Sequence, residues 1–318
     1  MQPAVSTAPG EPLSLSPNMR GALFMAVSMA GFTVNDAITK TASEAMNMGQ
    51  VMFVRGLFAT VLIGTLAWYR GALSVPRSAL QMHVVLRVVG EAGATVGFLV
   101  ALAHLPLANV SAVLQALPLA VTMGAALVFD EPVGWRRWLA ISVGFLGVLV
   151  IVRPGFEGFN AYALSALVCV AFCTVRDLAT KRIPTEVPTM LVSTVTAAAV
   201  AVTGLLLIQP MGGWSPLRPV ETGLLAGAAL LLVIGYQFII LAMRIGDISF
   251  IAPFRYTALV WAIALGYLVF SDVPDMAMTV GATLVVGSGL YALYRERVVG
   301  RRRPAAESTS PAMAPDGM

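Results

Sequence analysis

"LPLANVSAVLQALPLAVTMGAALVFDEP" occupies residues 105–132, and "RIGDISFIAPFRYTALVWAIALGYLVFSDVP" occupies residues 244–274. Each opens on a small polar turn, carries a proline inside the apolar run that follows (Pro118, Pro253), and leaves through an acid and a proline. The register between them slips by about one helical turn. They differ in what comes next: the first copy continues "GWRRW", the second "DMAM" with no basic residue. Basic residues gather on the cytoplasmic side of a membrane, so one unit met twice with opposite flanking charge is expected to cross a bilayer in opposite directions.

Composition supports a bilayer. Of the 318 residues, 58% are hydrophobic and only 11% charged, against roughly 25% charged in soluble domains. Such a chain lacks the polar surface to cover a water-soluble globule. A spanning helix needs about 20 mainly apolar residues, and ten candidate spans follow at residues 21–39, 49–69, 80–103, 107–129, 136–153, 160–180, 188–208, 221–243, 248–270 and 276–294. With the N-terminus placed in the cytoplasm, thirteen Lys and Arg residues fall on the inner side. These are Arg20, Arg70, Arg77, Arg136, Arg137, Lys181, Arg182, Arg244 and five in the tail from Arg295 to Arg303. Only Lys40, Arg153 and Arg218 fall outside, so both termini are expected inside. The net charge of +4 reflects the tail arginines and not a nucleic-acid surface.

The expected fold class is an all-α membrane protein of ten transmembrane helices arranged as a 5+5 inverted-topology repeat. An odd number of spans per repeat forces the copies into opposite orientations, a device of secondary transporters. The expected division is a disordered cytoplasmic segment 1–19, a first five-helix unit 20–153, a second 154–298, and a basic, disordered tail 299–318. Residues 1–19 lack the basic residues of a secretory signal. Cys169 and Cys173 lie four apart in an apolar run, on one helix face, and no disulfide, metal or cofactor is expected there.

The two quoted stretches, together with "VRDLATKR" at 175–182, resemble the drug/metabolite transporter superfamily, EamA type, over roughly residues 20–295. Asp272 departs from the family's more usual Glu after Gly. The resemblance implies a secondary transporter of the bacterial inner membrane, not an enzyme, working by alternating access. The family covers amino-acid and drug exporters, sugar and nucleotide-sugar carriers, and uptake of S-adenosylmethionine or riboflavin. "FTVNDAITK" and "VRDLATKR" look closest to the branch holding the last two. The alternative is an amino-acid or drug/metabolite exporter. More remote is a membrane-embedded transferase, which needs clustered His, Asp or Glu at one depth. His83 and His104 instead lie at opposite ends of one span. No G-x-x-x-x-G-K-[ST] loop is present to drive an ATP-powered pump. The expected partners are a small-molecule substrate, the lipid bilayer and, as an open option, a second copy in a homodimer, with no nucleic acid.

A charge near the bilayer centre is costly unless paired or wet, so each intramembrane ion is a functional candidate. Asp36 lies about 15 residues above the inner end of span one, roughly 23 Å into a core of about 30 Å. Two readings stand: an Asp36–Lys40 pair finishing the helix, or an outer gate in which Asn35 and Asp36 meet Arg55 of span two. Glu91 is the most deeply placed acid, with Arg87 one turn below. It is either a self-neutralised intrahelical pair or a carboxylate that carries a proton or holds a cationic substrate group. The matching region of span eight offers Tyr236 and Gln237 instead, so a lopsided cavity is expected. Pro118, beside Gln115, and Pro253, beside Arg255, should bend their spans at matching places. That pattern points to a transport site. Tyr256, Trp261 and Tyr267 are either stacking platforms for a planar substrate or packing and lipid-facing aromatics. Arg176 and Asp177, beside Lys181 and Arg182, read as an inner-end anchor or an inner gate. Gly93-xxx-Gly97 and Gly223-xxx-Gly227 suggest close helix approach in spans three and eight.

Overall fold

The computed structural model describes residues 16–74, 81–131, 133–153, 160–184, 186–245 and 247–299. Most of the expected disordered N-terminal segment, Arg77 and the tail beyond 299 lie outside the described residues. Among the described residues, ten helical segments are long and apolar enough to cross a membrane. They comprise α1 (Pro17–Ala42), α2 (Met48–Tyr69), α3 (Met82–His104), α4 (Leu107–Leu114) with α5 (Leu117–Val128), α6 (Trp135–Val152) and α7 (Ala163–Lys181). There follow α8 (Thr189–Ile208), α9 (Pro219–Ile245), a ninth span of α10 (Ile248–Ile251), a 3₁₀ turn (Ala252–Tyr256) and α11 (Thr257–Phe270), and finally α12 (Met276–Val299).

Local chemistry sets the boundaries. α1 starts at Pro17, four residues ahead of the expected span, because Ser16 caps it: its hydroxyl accepts from the Met19 N–H at 3.3 Å. The fourth span breaks at Gln115–Ala116, just ahead of Pro118, and the ninth breaks through the 3₁₀ turn that contains Pro253. Proline lacks the N–H that would complete the helix at each place. Threonine hydroxyls use nearby carbonyls as acceptors: Thr122 donates to Pro118 O (2.8 Å) and Thr257 to Phe254 O (2.6 Å).

The helices associate in pairs: α1 with α9, α2 with α8, α3 with α7, α6 with α12, and α4 with α11. Small residues make the closest approaches. A methyl added at Gly56 would sit 3.0 Å from Ala201 Cα, and one added at Gly147 would sit 2.7 Å from Gly281 O. Gly97 meets Ser165 and Cys169 of α7 in the same way, but Gly223 and Gly227 have no neighbouring atom within 4 Å. The second Gly-xxx-Gly is therefore not a helix contact. The α2 start is clasped to the loop after α8: Gln50, fully buried, donates to Ser215 O (2.7 Å) and accepts from Ser215 N–H (2.8 Å).

The fourth and ninth spans end alike. After Phe129 and Phe270 come Asp130 (φ 52°) and Ser271 (φ 56°), both left-handed, and the next N–H reaches back to Ala125 O and Gly266 O respectively. Lys181 lies 5.2 Å over the Phe129 ring and pairs with Glu131, while Lys40 lies 5.3 Å over the Phe270 ring within electrostatic reach of Asp272.

Candidate transport cavity

A cavity of about 710 Å³ lies between α2, α3, α8 and α9. Its rim is formed by Arg70 and Ala72 after α2, Glu186 and Pro188 before α8, and Arg244 near the end of α9. Arg55 marks the deepest point on α2, fifteen residues from Arg70 in sequence and roughly 22 Å along the helix. Of the residues expected at the site, Arg55, Arg87, Glu91, Tyr236 and Gln237 line it. Thr95, Ser193 and Thr196 line it as well and were not singled out from sequence. Hydroxyls spaced along apolar helices carry no signal that separates a cavity wall from a helix contact.

The charged centre is Glu91. Its Oε2 lies 3.5 Å from Arg87 Nη1 on its own helix and accepts from Arg176 Nη1 of α7 at 3.3 Å. Arg176 Nε donates to Asp177 Oδ1 at 2.7 Å. Arg176 and Asp177 are 8% and 2% exposed, so they are buried members of this network and not surface anchors. Gly90 makes the connection: a methyl there would lie 2.9 Å from the Arg176 backbone nitrogen, so α7 comes this close only against glycine. Arg255, from the broken ninth span, is within electrostatic reach of Asp177 and Arg176. Tyr236 stands opposite, within reach of Glu91, Arg176, Arg87 and Arg55, its ring edge-on to Phe32 at 5.1 Å.

At the level of Arg55, one hydrogen bond joins α2 to α1. Arg55 Nη1 donates to Thr39 Oγ1 (3.3 Å), and Asn35 Nδ2 donates to Asp36 Oδ1 (2.9 Å). Asp36 and Arg55 are in electrostatic reach without an ion pair within 4.0 Å. Lys40 does not pair with Asp36. Its ammonium donates to Leu102 O (3.0 Å) and Leu105 O (2.5 Å), carbonyls left without helical partners at the end of α3. Tyr256, Trp261 and Tyr267, for which stacking on a substrate and packing both stood open, do not line this cavity. Tyr256 is buried against Gly289 of α12, Trp261 donates to Ala26 O (3.3 Å), and Tyr267 is 61% exposed on the bundle exterior. Gln115 ends α4 at the break and does not line the cavity. Cys169 and Cys173 are free thiols with Sγ atoms 4.0 Å apart.

One sequence signal for the network was present and unused: "TVNDAITK" (33–40) of α1 and "TVRDLATK" (174–181) of α7 align without a gap. Their contacts also match. Thr39 donates to Asn35 O and Thr180 to Arg176 O, both at 2.7 Å, and each Asp accepts from the residue before it.

Residues 19–153 match the model of the EamA-like transporter family. An S-adenosylmethionine uptake transporter of Rickettsia prowazekii (strain Madrid E) is 25% identical over 293 residues, covering 89% of this chain and 96% of its own length. The pseudopaline exporter CntI of Pseudomonas aeruginosa (strain UCBPP-PA14) is 27% identical over 84% of this chain and 93% of its own. A riboflavin transporter of Vibrio cholerae serotype O1 is 25% identical, over 89% and 96%. A crystal structure superposes with a TM-score of 0.60, at 19% identity over 88% of this chain and 99% of that one, which speaks to the fold alone.

Proposed function

We propose that this chain, an EamA-family member of the drug/metabolite transporter superfamily, moves a small organic metabolite across the bacterial inner membrane by alternating access. The observation that carries the reading is the cavity. It runs from Arg70, Glu186 and Arg244 at the helix ends to the buried charges Arg87, Glu91 and Arg55, the last of which also donates to Thr39 of α1. The basic residues Arg70, Arg136, Arg137, Lys181, Arg182 and Arg244 share the open end, which supports a cytoplasmic placement of that end and of both termini. On that orientation the structure is an inward-open carrier.

A 5+5 inverted repeat, 20–153 and 154–298, accounts for the paired features. Exchanging each span for its counterpart in the other unit turns the α1–α9 pair into the α3–α7 pair, while the remaining pairs map onto themselves. The matching octapeptides, the matching left-handed helix ends and the two Lys-over-Phe contacts support the same exchange. Under it, Asn35–Asp36 with Arg55 form the outer gate, and Arg176–Asp177 with Glu91 form its inner counterpart.

For substrate, the reading favours uptake of S-adenosylmethionine-like or riboflavin-like metabolites, the solutes named for two of the relatives. Export is the second reading, favoured by the pseudopaline exporter, 27% identical over 84% of this chain. Glu91, the acid of the cavity wall, is assigned to proton coupling. Counterflow of radiolabelled S-adenosylmethionine and riboflavin in proteoliposomes tests the reading. Saturable exchange above empty liposomes is expected, with Glu91→Gln losing pH-driven accumulation but keeping exchange. A wild-type protein that exchanges neither solute, nor any of a panel of amino-acid-derived metabolites, argues against a carrier.

A further inference from the structure

Lys40 and Lys181 close the matching octapeptides of α1 and α7, and each lies over the phenylalanine that ends a broken span. Their other partners differ. Lys40 donates to Leu102 O (3.0 Å) and Leu105 O (2.5 Å) at the end of α3. Both carbonyls lack the donor that a continuing helix would supply. Pro106 has no N–H to offer Leu102 O, and the Asn109 N–H goes to Pro106 O at 3.0 Å instead of to Leu105 O. Lys181 does not reach a helix end in this way. It pairs with Glu131, and the pair is about one-third exposed, 35% on each side chain.

An acceptor of the same kind stands at the end of α9, the counterpart of α3. Matching Asn109-Val110-Ser111 to Asp247-Ile248-Ser249 puts Met243 where Leu105 stands. The Asp247 N–H, which would close the last turn on Met243 O, donates to Asn18 Oδ1 at 2.7 Å. Met243 O is thereby left without its helical donor. The helices differ in the same sense. α1 packs against α3, whereas α7 and α9 have no comparable contact among the described residues.

From this we infer that Lys40 and Lys181 are alternating latches of the transport cycle. Lys40 on the end of α3 holds the outer end shut in this inward-open form. When the inner end shuts, Lys181 leaves Glu131 and takes Met243 O at the end of α9, as Lys40 lets go of α3. Glu131 is then the residue that holds the inner latch off. The inference rests on the carrier reading and on the exchange of the two five-helix units, and it assigns the residues that carry the switch between their two arrangements.

The test follows outer opening of the full-length protein in right-side-out vesicles, in a chain with Cys169 and Cys173 changed to Ala. Met52 is the fifth residue of α2, as Ser193 is of α8, and it is 1% exposed. Met52→Cys should therefore react with a membrane-impermeant maleimide only while the outer end is open, so its rate reads the population of that state. Lys40→Met should raise the rate about tenfold or more, the worth of one hydrogen bond to a charged group, and Lys40→Arg should keep it within about threefold. Glu131→Gln and Lys181→Met break one and the same ion pair, yet they should act in opposite directions. The first frees the inner latch and speeds labelling about two- to fivefold, and the second removes the latch and slows labelling. Combined, they should follow Lys181→Met alone. If Lys40→Met does not fold, the partly exposed Glu131 and Lys181 carry the test. Labelling unchanged in Lys40→Met, or shifted in the same direction by Glu131→Gln and Lys181→Met, overturns the inference. Wild-type counterflow with either of those results leaves the carrier and removes the latches. Opposite shifts without counterflow of any solute keep the latches and remove the carrier reading.

Discussion

Replacing Glu91 with Gln preserves volume and removes the charge that two guanidiniums share. Among the described residues Arg87 then has no carboxylate within 4.0 Å, whereas Arg176 keeps Asp177 at 2.7 Å. Breaking a buried pair by removing one partner costs about 3–5 kcal/mol. Glu91 is 20% exposed on the cavity wall, so water relieves part of this and the lower end applies, about 3 kcal/mol. At roughly 2 °C per kcal/mol for a chain of this size, the melting temperature should fall by about 6 °C. Cys169 and Cys173 are free and buried, so a thiol-reactive dye reports unfolding in detergent directly. Arg87→Gln alone should cost less, because Glu91 retains Arg176. The double variant removes the stranded guanidinium and should recover about 1–3 kcal/mol relative to additivity. Losses that add within about 0.5 kcal/mol would refute the claim that Glu91 neutralises Arg87.

Gly90→Ala places a methyl 2.9 Å from the Arg176 backbone and should push α7 away, costing about 1–3 kcal/mol and lowering counterflow; wild-type melting and flux would contradict the close approach. Glu131→Ala breaks a half-exposed pair with Lys181 and should change stability by less than about 1 kcal/mol in the same melting assay. At the start of α12, the Met278 N–H and then Arg153 hold the Asp275 carboxyl below the usual carboxylate range. A depressed carboxyl stabilises above its unfolded pKa and loses that contribution as pH falls through the folded value. The melting difference between wild type and Asp275→Ala should therefore shrink below about pH 4.

The spans were legible because each is a mainly apolar run of about 20 residues with few charges, and the two broken ones because proline announces a missing N–H. Arg87–Glu91 was legible as an i,i+4 pair. The Arg176–Glu91 contact was not. It joins residues 85 apart, and its length depends on a glycine whose purpose shows only when α7 is in place. Lys40 read naturally as a partner for Asp36, yet its ammonium reaches the carbonyls that end α3, and those come from another helix that spacing along α1 does not reveal. For the aromatics of the ninth span, spacing left open whether they meet a substrate or pack, and the 3₁₀ turn within that span adds to the ambiguity.

Alternating access is the central claim, and Ser193 on the cavity wall reports it. The measurement is reaction of Ser193→Cys with a membrane-impermeant maleimide, in a chain with Cys169 and Cys173 changed to Ala, using right-side-out and inside-out vesicles. The account predicts labelling from the cytoplasmic face at rest, and less of that labelling once a transported solute is supplied at the outer face, because Ser193 lies five residues inside the rim at Pro188 and is sealed when the inner end closes. Cytoplasmic labelling that the solute leaves unchanged, or a residue that reacts from neither face, would contradict it.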